Sequence, residues 1–123
     1  MGKDPALEVL GWYGENSGNS SRAVKGKAGN AWGLFDMHGN VWEWCRDARE
    51  DYVDGKQVDP FREGADSAER VLRGGSWLNG AWRCRSAFRR GFRPGFRGRF
   101  VGLRLSAGQE LESAEPSAAE QPQ

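Results

Sequence analysis

Glycine and other turn-forming residues recur so often along this chain that no long helical pattern can form. Eighteen of its 123 residues are glycine, and the stretch 14–31, GENSGNSSRAVKGKAGNA, is dense in Gly, Ser and Asn. Clusters of this composition predict loop. Six tryptophans and six phenylalanines stand among these turns, whereas disordered segments are poor in aromatic residues. The sequence therefore predicts a folded, loop-rich domain and argues against a helical bundle.

The net charge of +1 conceals a division of charge along the chain. Residues 1–70 carry nine Lys or Arg and thirteen Asp or Glu, whereas residues 71–109 carry nine arginines and no acid. Four further acids and no base follow from Glu110 onward. Such asymmetry bears on partners and association rates rather than on fold. The length suits one domain with a modest core.

The two cysteines, Cys45 and Cys84, are too few for a disulfide framework, and their spacing matches no zinc pattern. We expect two reduced thiols in a cytoplasmic protein, with a single bridge as the open alternative. The start of the chain, MGKDPALEV, lacks the apolar core of a signal peptide, and Ala6 spoils a myristoylation motif. No apolar run approaches the ~20 residues that span a bilayer. We therefore expect a soluble chain without a membrane partner.

Two stretches have the pattern of β-strands. ERVLRGGSW predicts a strand at Arg70–Arg73 that Gly74 and Gly75 end. In FVGLRLS, residues 100–106, apolar and other residues alternate, which predicts a second strand. The segment 32–44 predicts compact loop with short strands, and PALEVLGW is compatible with the end of a helix.

These patterns divide the chain into three parts. We predict a leader at 1–11, a domain at 12–107 and a disordered acidic tail at 108–123, because the tail has no aromatic residue and too little apolar surface to bury.

The segment GNAWGLFDMHGNVWEWCRD, residues 29–47, places aromatic residues around a turn at 38–40, with Asp36 and Glu43 close by. Two carboxylates and free backbone carbonyls would form an oxygen-rich pocket suited to a hard cation such as Ca²⁺, which takes ~6–8 oxygen ligands. The alternative is that Asp36 only forms the turn and Glu43 is simply exposed. The residues alone leave both interpretations open.

The motifs NAWGLFDMHGNVWEW, RVLRGGSW, CRSA and GLRL occur here in an order that resembles the formylglycine-generating enzyme, or sulfatase-modifying factor, family. The resemblance runs from about Trp12 to Leu105. It implies an α+β, C-type-lectin-like fold, loop-rich with short strands and apparently reduced at the N-terminus, because family members are usually about twice this long. It leaves open whether the chain folds alone, as an oligomer or with a complementing chain.

The same resemblance implies a structural calcium ion. Carried over by position, its ligands are the Asp36 side chain, the Gly39 and Val41 carbonyls and the Glu43 carboxylate. His38 belongs to the family's turn, and a lone histidine is not expected to form a metal site.

The catalytic residues of the oxidase members are not carried over. Those enzymes use a cysteine pair after the RGGS motif to bind copper, and a soft Cu(I) ion needs such thiolates. Here Asn79 stands where the first cysteine would be, and Cys84 resembles a non-catalytic cysteine of the family. The iron-dependent members use several histidines, and this chain has one. We therefore expect neither copper nor iron, and catalysis as a cysteine-directed oxidase is the alternative function.

The stretch from Cys84 to Phe100 holds six arginines, four phenylalanines, three glycines and no acid. With the preceding GGSW motif it resembles the variable proteins of diversity-generating retroelements, in which scattered positions are randomised by adenine mutagenesis. Randomising the first two bases of an AAY codon never yields Lys, Gln, Glu, Met or Trp, and none of these occurs at the matching positions. Those positions, our predicted ligand-binding residues, are Leu78, Asn79, Gly80, Phe88, Arg90, Gly91, Phe92, Arg93, Phe96, Gly98, Arg99 and Phe100.

Three interpretations of this arginine-rich segment remain. In a variable protein it would be a diversified surface that binds a protein ligand, since Arg and Phe supply strong contacts on a rigid scaffold. In a plain family module the arginines would hold loops together. Basic residues interleaved with aromatics also suit nucleic acid, through phosphate contacts and base stacking. We predict a protein ligand, with nucleic acid as the second alternative.

Overall fold

The computed structural model describes residues 2–58 and 60–107. Its elements, in chain order, are a helix α1 at Pro5–Leu10 and strands β1 at Trp42–Ala48, β2 at Arg70–Arg73, β3 at Arg89–Phe92 and β4 at Val101–Gly102. A short 3-10 helix lies at Ala81–Arg83. Most of the described chain is loop, which confirms the prediction of a loop-rich domain with short strands and little helix. The tail predicted at 108–123 lies outside the described residues.

The helix α1 begins where its sequence supplies a cap. The Asp4 carboxylate accepts hydrogen bonds from the backbone N–H groups of Ala6 and Leu7, both at 3.0 Å. Asp is among the best N-cap residues because it satisfies N–H groups that have no partner within the helix. The predicted leader thus contains a capped helix, and Leu7 carries it into the core. Its six residues are far fewer than the ~20 that cross a bilayer, and no membrane-spanning helix occurs in the described part.

The four strands form one mixed sheet in the order β3-β2-β1-β4. β2 pairs antiparallel with both β1 and β3, whereas β4 runs parallel to β1. The prediction of a strand at Arg70–Arg73 is confirmed, and the positive φ of Gly74 and Gly75 ends it. This order places β3, which holds Arg89 and Arg90, and the two-residue β4 at opposite edges of the sheet.

The strand predicted at 100–106 was wrong in length. β4 covers only Val101 and Gly102, and Leu103 and Leu105 are exposed, Leu105 at 89 %. Alternation predicts a half-buried strand only where another layer covers the apolar face. Nothing in the described chain covers this face, so the ladder stops after two residues.

The core is small and rich in aromatic residues. Trp42, Tyr13 and Leu72 are fully buried, and Trp77 and Cys84 are nearly so. Because Trp42, Leu72 and Trp77 lie on or beside β1 and β2, the central strands are fixed by packing. The loops that join the edge strands are mounted on this rigid centre.

Candidate functional site

The arginine-rich segment begins at a turn that is anchored in the core. The Asn79 side chain accepts hydrogen bonds from the Ser76 hydroxyl at 2.8 Å and from the Ser76 backbone N–H at 3.1 Å. Gly75 lies against Cys84, where an added Cβ would be 2.6 Å from the sulfur. The close approach at Gly75 therefore requires glycine. This packing fixes the chain just before the predicted ligand-binding positions begin at Leu78.

Three phenylalanines of the segment, Phe92, Phe96 and Phe100, pack on one another; we call them the aromatic cluster. The rings of Phe92 and Phe96 are stacked, with centroids 4.2 Å apart and planes 7° apart, and Phe100 lies 5.8 Å from Phe96. All three side chains are half-buried. Phe92 ends β3, and Phe100 directly precedes β4. The backbone N–H of Trp42, in the neighbouring strand β1, donates to the Phe100 carbonyl at 2.8 Å. The cluster therefore stands on the sheet with part of its ring surface open to solvent.

Phe88 belongs to a second aromatic group. Its ring lies 5.9 Å from that of the buried Trp42 and 5.2 Å, edge to face, from that of Trp82. Trp82 is itself 50 % exposed. Phe88 thus links the core to the exposed Trp82.

Arginines of the segment lie over aromatic rings, and none of them forms an ion pair with a described residue. The Arg90 guanidinium is 4.6 Å from the centre of the Phe92 ring, and that of Arg99 is 5.3 Å from Trp77. Such stacking fixes a planar cation while leaving its N–H donors free to bind. The segment thus presents oriented donors beside apolar faces.

The twelve predicted ligand-binding residues differ in exposure. Asn79 and Gly80 are buried in the turn, and Gly91 is crowded, because an added Cβ would lie 2.3 Å from Cδ of Arg49. Ten of the twelve, Gly91 included, reach the surface. Of these, Leu78, Arg93 and Arg99 are exposed, and Phe88, Arg90, Gly91, Phe92, Phe96, Gly98 and Phe100 are half-buried.

Three of the four predicted calcium ligands line one cavity of about 310 Å³ on the β4 side of the sheet, which we call the carboxylate cavity. They are Asp36, Val41 and Glu43, whereas Gly39 is not among its lining residues. The Asp36 Oδ2 atom accepts a hydrogen bond from the Lys25 backbone N–H at 2.8 Å. Its Oδ1 atom is buried and has no partner among the described residues. A buried carboxylate oxygen without a donor is costly unless a cation or water meets it.

An arginine already occupies part of this cavity. Arg104 donates to the two carboxylate oxygens of Glu43 at 3.0 and 2.8 Å, and to the Phe35 carbonyl at 2.7 Å. The hydrogen bonds to Glu43 raise the pKa of Arg104 above its ordinary value. Glu43 is therefore a paired carboxylate, unlike the freely exposed one of the alternative interpretation. The oxygen atoms suit a hard cation, but a cation here would have to share Glu43 with a guanidinium.

The turn at 38–40 ties distant loops together. Gly39 has a φ of +84°, and an added Cβ would lie 2.2 Å from the Trp12 carbonyl oxygen. The Asn40 side chain pairs with the backbone of Arg22, accepting from its N–H at 2.9 Å and donating to its carbonyl at 3.1 Å. The His38 Nδ1 atom lies 2.7 Å from the Cys84 carbonyl oxygen. These residues organise the scaffold.

Neither cysteine is placed for thiol chemistry. Both are free, Cys84 is 1 % exposed, and Cys45 is half-buried. Burial raises the pKa of the Cys84 thiol from its ordinary 9.0 to about 11 and also raises the pKa of Cys45. Because the thiolate is the nucleophile and the metal ligand, both thiols are poorly reactive near neutral pH.

The sequence did not predict a third feature of the structure. Four arginines from separate parts of the chain line a hollow of about 360 Å³ beside β3, which we call the arginine cavity. Three of them were not among the predicted site residues. Arg49 lies far along the chain from the other three arginines, and no local sequence motif indicates that they meet. Only the pairing of β1, β2 and β3 brings them together. The four arginines are Arg49, Arg83, Arg89 and Arg90.

Comparison with known proteins shows the family to which the chain is related. Residues 2–107 match the family model described as the sulfatase-modifying factor enzyme 1-like domain. The chain is 46 % identical over 61 residues to the formylglycine-generating enzyme of Streptomyces coelicolor, an alignment that covers 48 % of this chain and 19 % of that enzyme. It is 36 % identical over 94 residues to hercynine oxygenase of Mycolicibacterium thermoresistibile, covering 71 % of this chain and 21 % of that enzyme.

Among solved structures, Treponema denticola variable protein 1 superimposes with a TM-score of 0.73 and 39 % identity, covering 84 % of this chain and 37 % of that protein. The chain spans about a fifth of the length of the two enzymes named above, from Streptomyces coelicolor and Mycolicibacterium thermoresistibile. The match of the family model over residues 2–107 is nonetheless nearly complete for the described part. This chain belongs to the family of sulfatase-modifying factor enzyme 1-like domains.

Proposed function

We propose that this domain is a non-catalytic member of its family, with a C-type-lectin-like fold, that binds a protein ligand through the surface of residues 78–100. The observation that carries the proposal is the aromatic cluster, whose stacked rings are fixed on the sheet yet half-open to solvent. Large rigid apolar faces beside arginines are the contacts that dominate protein interfaces. Rigid aromatic anchors also lose little conformational entropy on binding.

The similarity to a protein described as variable supports this function over catalysis. In the resemblance to retroelement variable proteins, diversified positions lie on one surface of a fixed scaffold. Here ten of the twelve such positions reach the surface, and all but Leu78 follow a turn anchored by Asn79. Asn79 also stands where the oxidase members have a cysteine. We therefore propose that the surface is diversified by a retroelement. An adenine-rich, near-identical template repeat beside a reverse transcriptase gene in the source genome would support that origin, and a genome lacking it would remove it.

The binding function can be tested by affinity capture from the source organism at physiological salt after nuclease treatment. The variant Phe92→Ala/Phe96→Ala removes the stacked pair, and circular dichroism checks that it folds. The matched control is Trp32→Ala, which removes an aromatic side chain that is 86 % exposed elsewhere on the surface. We expect one protein to be retained by the parent and the control and lost by the double variant. Equal retention by all three would overturn the proposal.

We also propose that calcium binds in the carboxylate cavity. The supporting observation is the buried Oδ1 atom of Asp36, which has no hydrogen-bond partner among the described residues. Asp36 would supply this oxygen, Val41 its carbonyl, and Glu43 a carboxylate oxygen released by Arg104, whereas the carbonyl of Gly39, which does not line the cavity, would have to turn toward the ion. In the described part, no three His, Cys, Asp or Glu side chains lie close enough together to hold a metal ion, so backbone carbonyls would have to complete the shell. Bound calcium would neutralise Asp36 and link the 36–41 turn to β1.

A further inference from the structure

The arginine cavity lies against the edge strand β3 and collects four arginines from three places in the chain. Arg49 follows β1, Arg83 ends the 3-10 helix, and Arg89 and Arg90 begin β3. Among the described residues, Glu69 is the single acidic residue in the lining, which also contains Phe88 and Gly91. A concave surface with such an excess of one charge sign concentrates ligands of the opposite sign.

The guanidinium groups in this cavity have unused donors. Among residues 2–58 and 60–107, no side-chain hydrogen bond or ion pair occupies Arg49, Arg83 or Arg90. Arg89 donates to the Glu50 carbonyl at 2.6 Å through Nη2. The Nε atoms of Arg83 and Arg89 are nevertheless buried without a partner among these residues. A buried charged donor without an acceptor is costly, so an anion that supplied acceptors would be stabilised here.

Aromatic rings hold three of these guanidiniums in place. Arg89 lies 3.8 Å from the centre of the Tyr52 ring, Arg83 lies 4.7 Å from Trp82, and Arg90 lies 4.6 Å from Phe92. Since stacking uses the flat face of arginine, the N–H groups at its rim stay available. Donors fixed in advance bind an anion with less loss of side-chain entropy than mobile surface lysines.

The remaining wall depends on Gly91. An added Cβ at this position would lie 2.3 Å from Cδ of Arg49 and 2.6 Å from a carboxylate oxygen of Glu69. Because Gly91 has no side chain, the side chains of Arg49 and Glu69 can both pack directly against β3 at this position. Since the four arginines outnumber Glu69, the lining stays positive, and a ligand with more than one negative charge is attracted more strongly than a single carboxylate.

We infer that the arginine cavity binds a phosphoryl group carried by the protein ligand. A phosphate monoester has a charge of about −1.5 to −2 and three acceptor oxygens, which match several arginine forks at once. Arginine clusters are a recurrent means of recognising phosphorylated segments. The inference rests on the proposed function, since it names the chemistry of that ligand. The aromatic cluster would then contact apolar side chains near the phosphorylated residue.

The cavity can be tested without the partner, by titrating the folded chain with inorganic phosphate at constant ionic strength and following binding by calorimetry. Arg83→Gln/Arg90→Gln removes two cavity arginines that donate no hydrogen bond to a described residue. The matched control, Arg46→Gln/Arg97→Gln, makes the same change of charge outside the cavity. We expect phosphate to bind the parent and the control and to bind the cavity variant at least about tenfold more weakly, as loss of charge-assisted bonds requires. Failure of phosphate to bind the parent, or equal weakening in both variants, would overturn the inference.

Two further measurements separate the possible sources of the phosphate. Phosphatase treatment of the captured partner should abolish its retention, whereas the Phe96→Ala variant, which keeps Phe92 beside Arg90, should still bind inorganic phosphate. A partner that is retained after dephosphorylation would refute the inference and leave the proposed function standing. A mixed-sequence oligonucleotide tests the phosphodiester alternative. Tight, salt-steep binding of the oligonucleotide that both arginine variants weaken equally would assign these arginines to a nucleic-acid backbone and overturn the inference.

Discussion

Arg104 and Glu43 form a bidentate pair that joins the two parallel strands of the sheet. Glu43 lies in β1, and its backbone neighbour across the ladder is Gly102 of β4. Two residues beyond that partner, Arg104 donates two hydrogen bonds to the Glu43 carboxylate. Its third hydrogen bond, to the Phe35 carbonyl, connects the same guanidinium to the 36–41 turn. One side chain thus fastens β4, β1 and the turn that begins at Asp36.

Replacing Arg104 should therefore loosen β4. We expect Arg104→Gln to lower the free energy of unfolding by about 1–2 kcal/mol, because it removes charge-assisted hydrogen bonds at a partly exposed site. Urea denaturation measures the loss. The control Arg97→Gln removes an exposed arginine that makes no side-chain hydrogen bond to a described residue, and it should change stability by less than about 0.5 kcal/mol. Equal effects of the two substitutions would contradict a structural role for the pair.

Calcium should stabilise the folded domain if it binds in the carboxylate cavity. Ligands that bind only the native state raise the melting temperature, so excess Ca²⁺ should raise it relative to EDTA. Asp36→Asn and Glu43→Ala should each abolish the difference. Arg104→Gln should preserve or enlarge it, since it frees the Glu43 carboxylate. Identical melting temperatures of the parent chain with and without calcium would remove the site.

Stability should fall in alkaline solution because of Cys84. The unfolded thiol loses its proton near pH 9, whereas burial keeps the folded pKa at about 11. Between these values the folded state holds more protons than the unfolded state, so the free energy of unfolding decreases as pH rises. Two pKa units correspond to a loss of about 2–3 kcal/mol. Urea melts from pH 8 to about 11 should show this slope in the parent and in Cys45→Ala, and a shallower one in Cys84→Ala. A slope unchanged in Cys84→Ala would contradict the assignment.

Trp77 and Trp82 should differ in their contribution to stability although they lie five residues apart. Trp77 is 3 % exposed and packs in the core, whereas Trp82 is 50 % exposed. We expect Trp77→Ala to cost ~3–5 kcal/mol, because it leaves a large cavity. Trp82→Ala should cost about 1 kcal/mol, the worth of its edge-to-face contact with Phe88. Chemical denaturation of both variants measures the two losses in the free energy of unfolding. A larger loss for Trp82→Ala than for Trp77→Ala would contradict the prediction.

The domain should not oxidise a substrate cysteine. The resemblance to the oxidase members implies a Cys-x-Pro-x-Arg peptide as the substrate to test and a copper-binding cysteine pair as the catalytic group. Here Asn79 replaces one position, and both free thiols are poorly ionised near neutral pH because burial raises their pKa values. After incubation with copper and such a peptide, mass spectrometry should find the thiol unchanged. Formylglycine in the product, lost again in Cys84→Ala, would establish catalysis and overturn the non-catalytic proposal.

The sequence alone determined those features that depend on local chemistry. Gly74 and Gly75 mark the end of β2 because their positive φ values are unfavourable for other residues. The glycine-rich composition predicted a loop-rich fold, and the ordered motifs predicted the family. The segment 78–100 stood out because arginine, phenylalanine and glycine alternate there without acids.

The tertiary structure alone decided which of these residues meet. The apolar alternation of residues 100–106 predicted a longer strand, but β4 stops at Gly102 because no described layer covers Leu103 and Leu105. Likewise the sequence placed Asn79 among exposed variable positions, whereas the fold buries it in a hydrogen-bonded turn. The arginine cavity depends on the register of β2 with β3, which sets Arg73 opposite Arg89 and Val71 opposite Gly91. Register and burial are set by contacts between residues far apart in the chain, so no local pattern could reveal them.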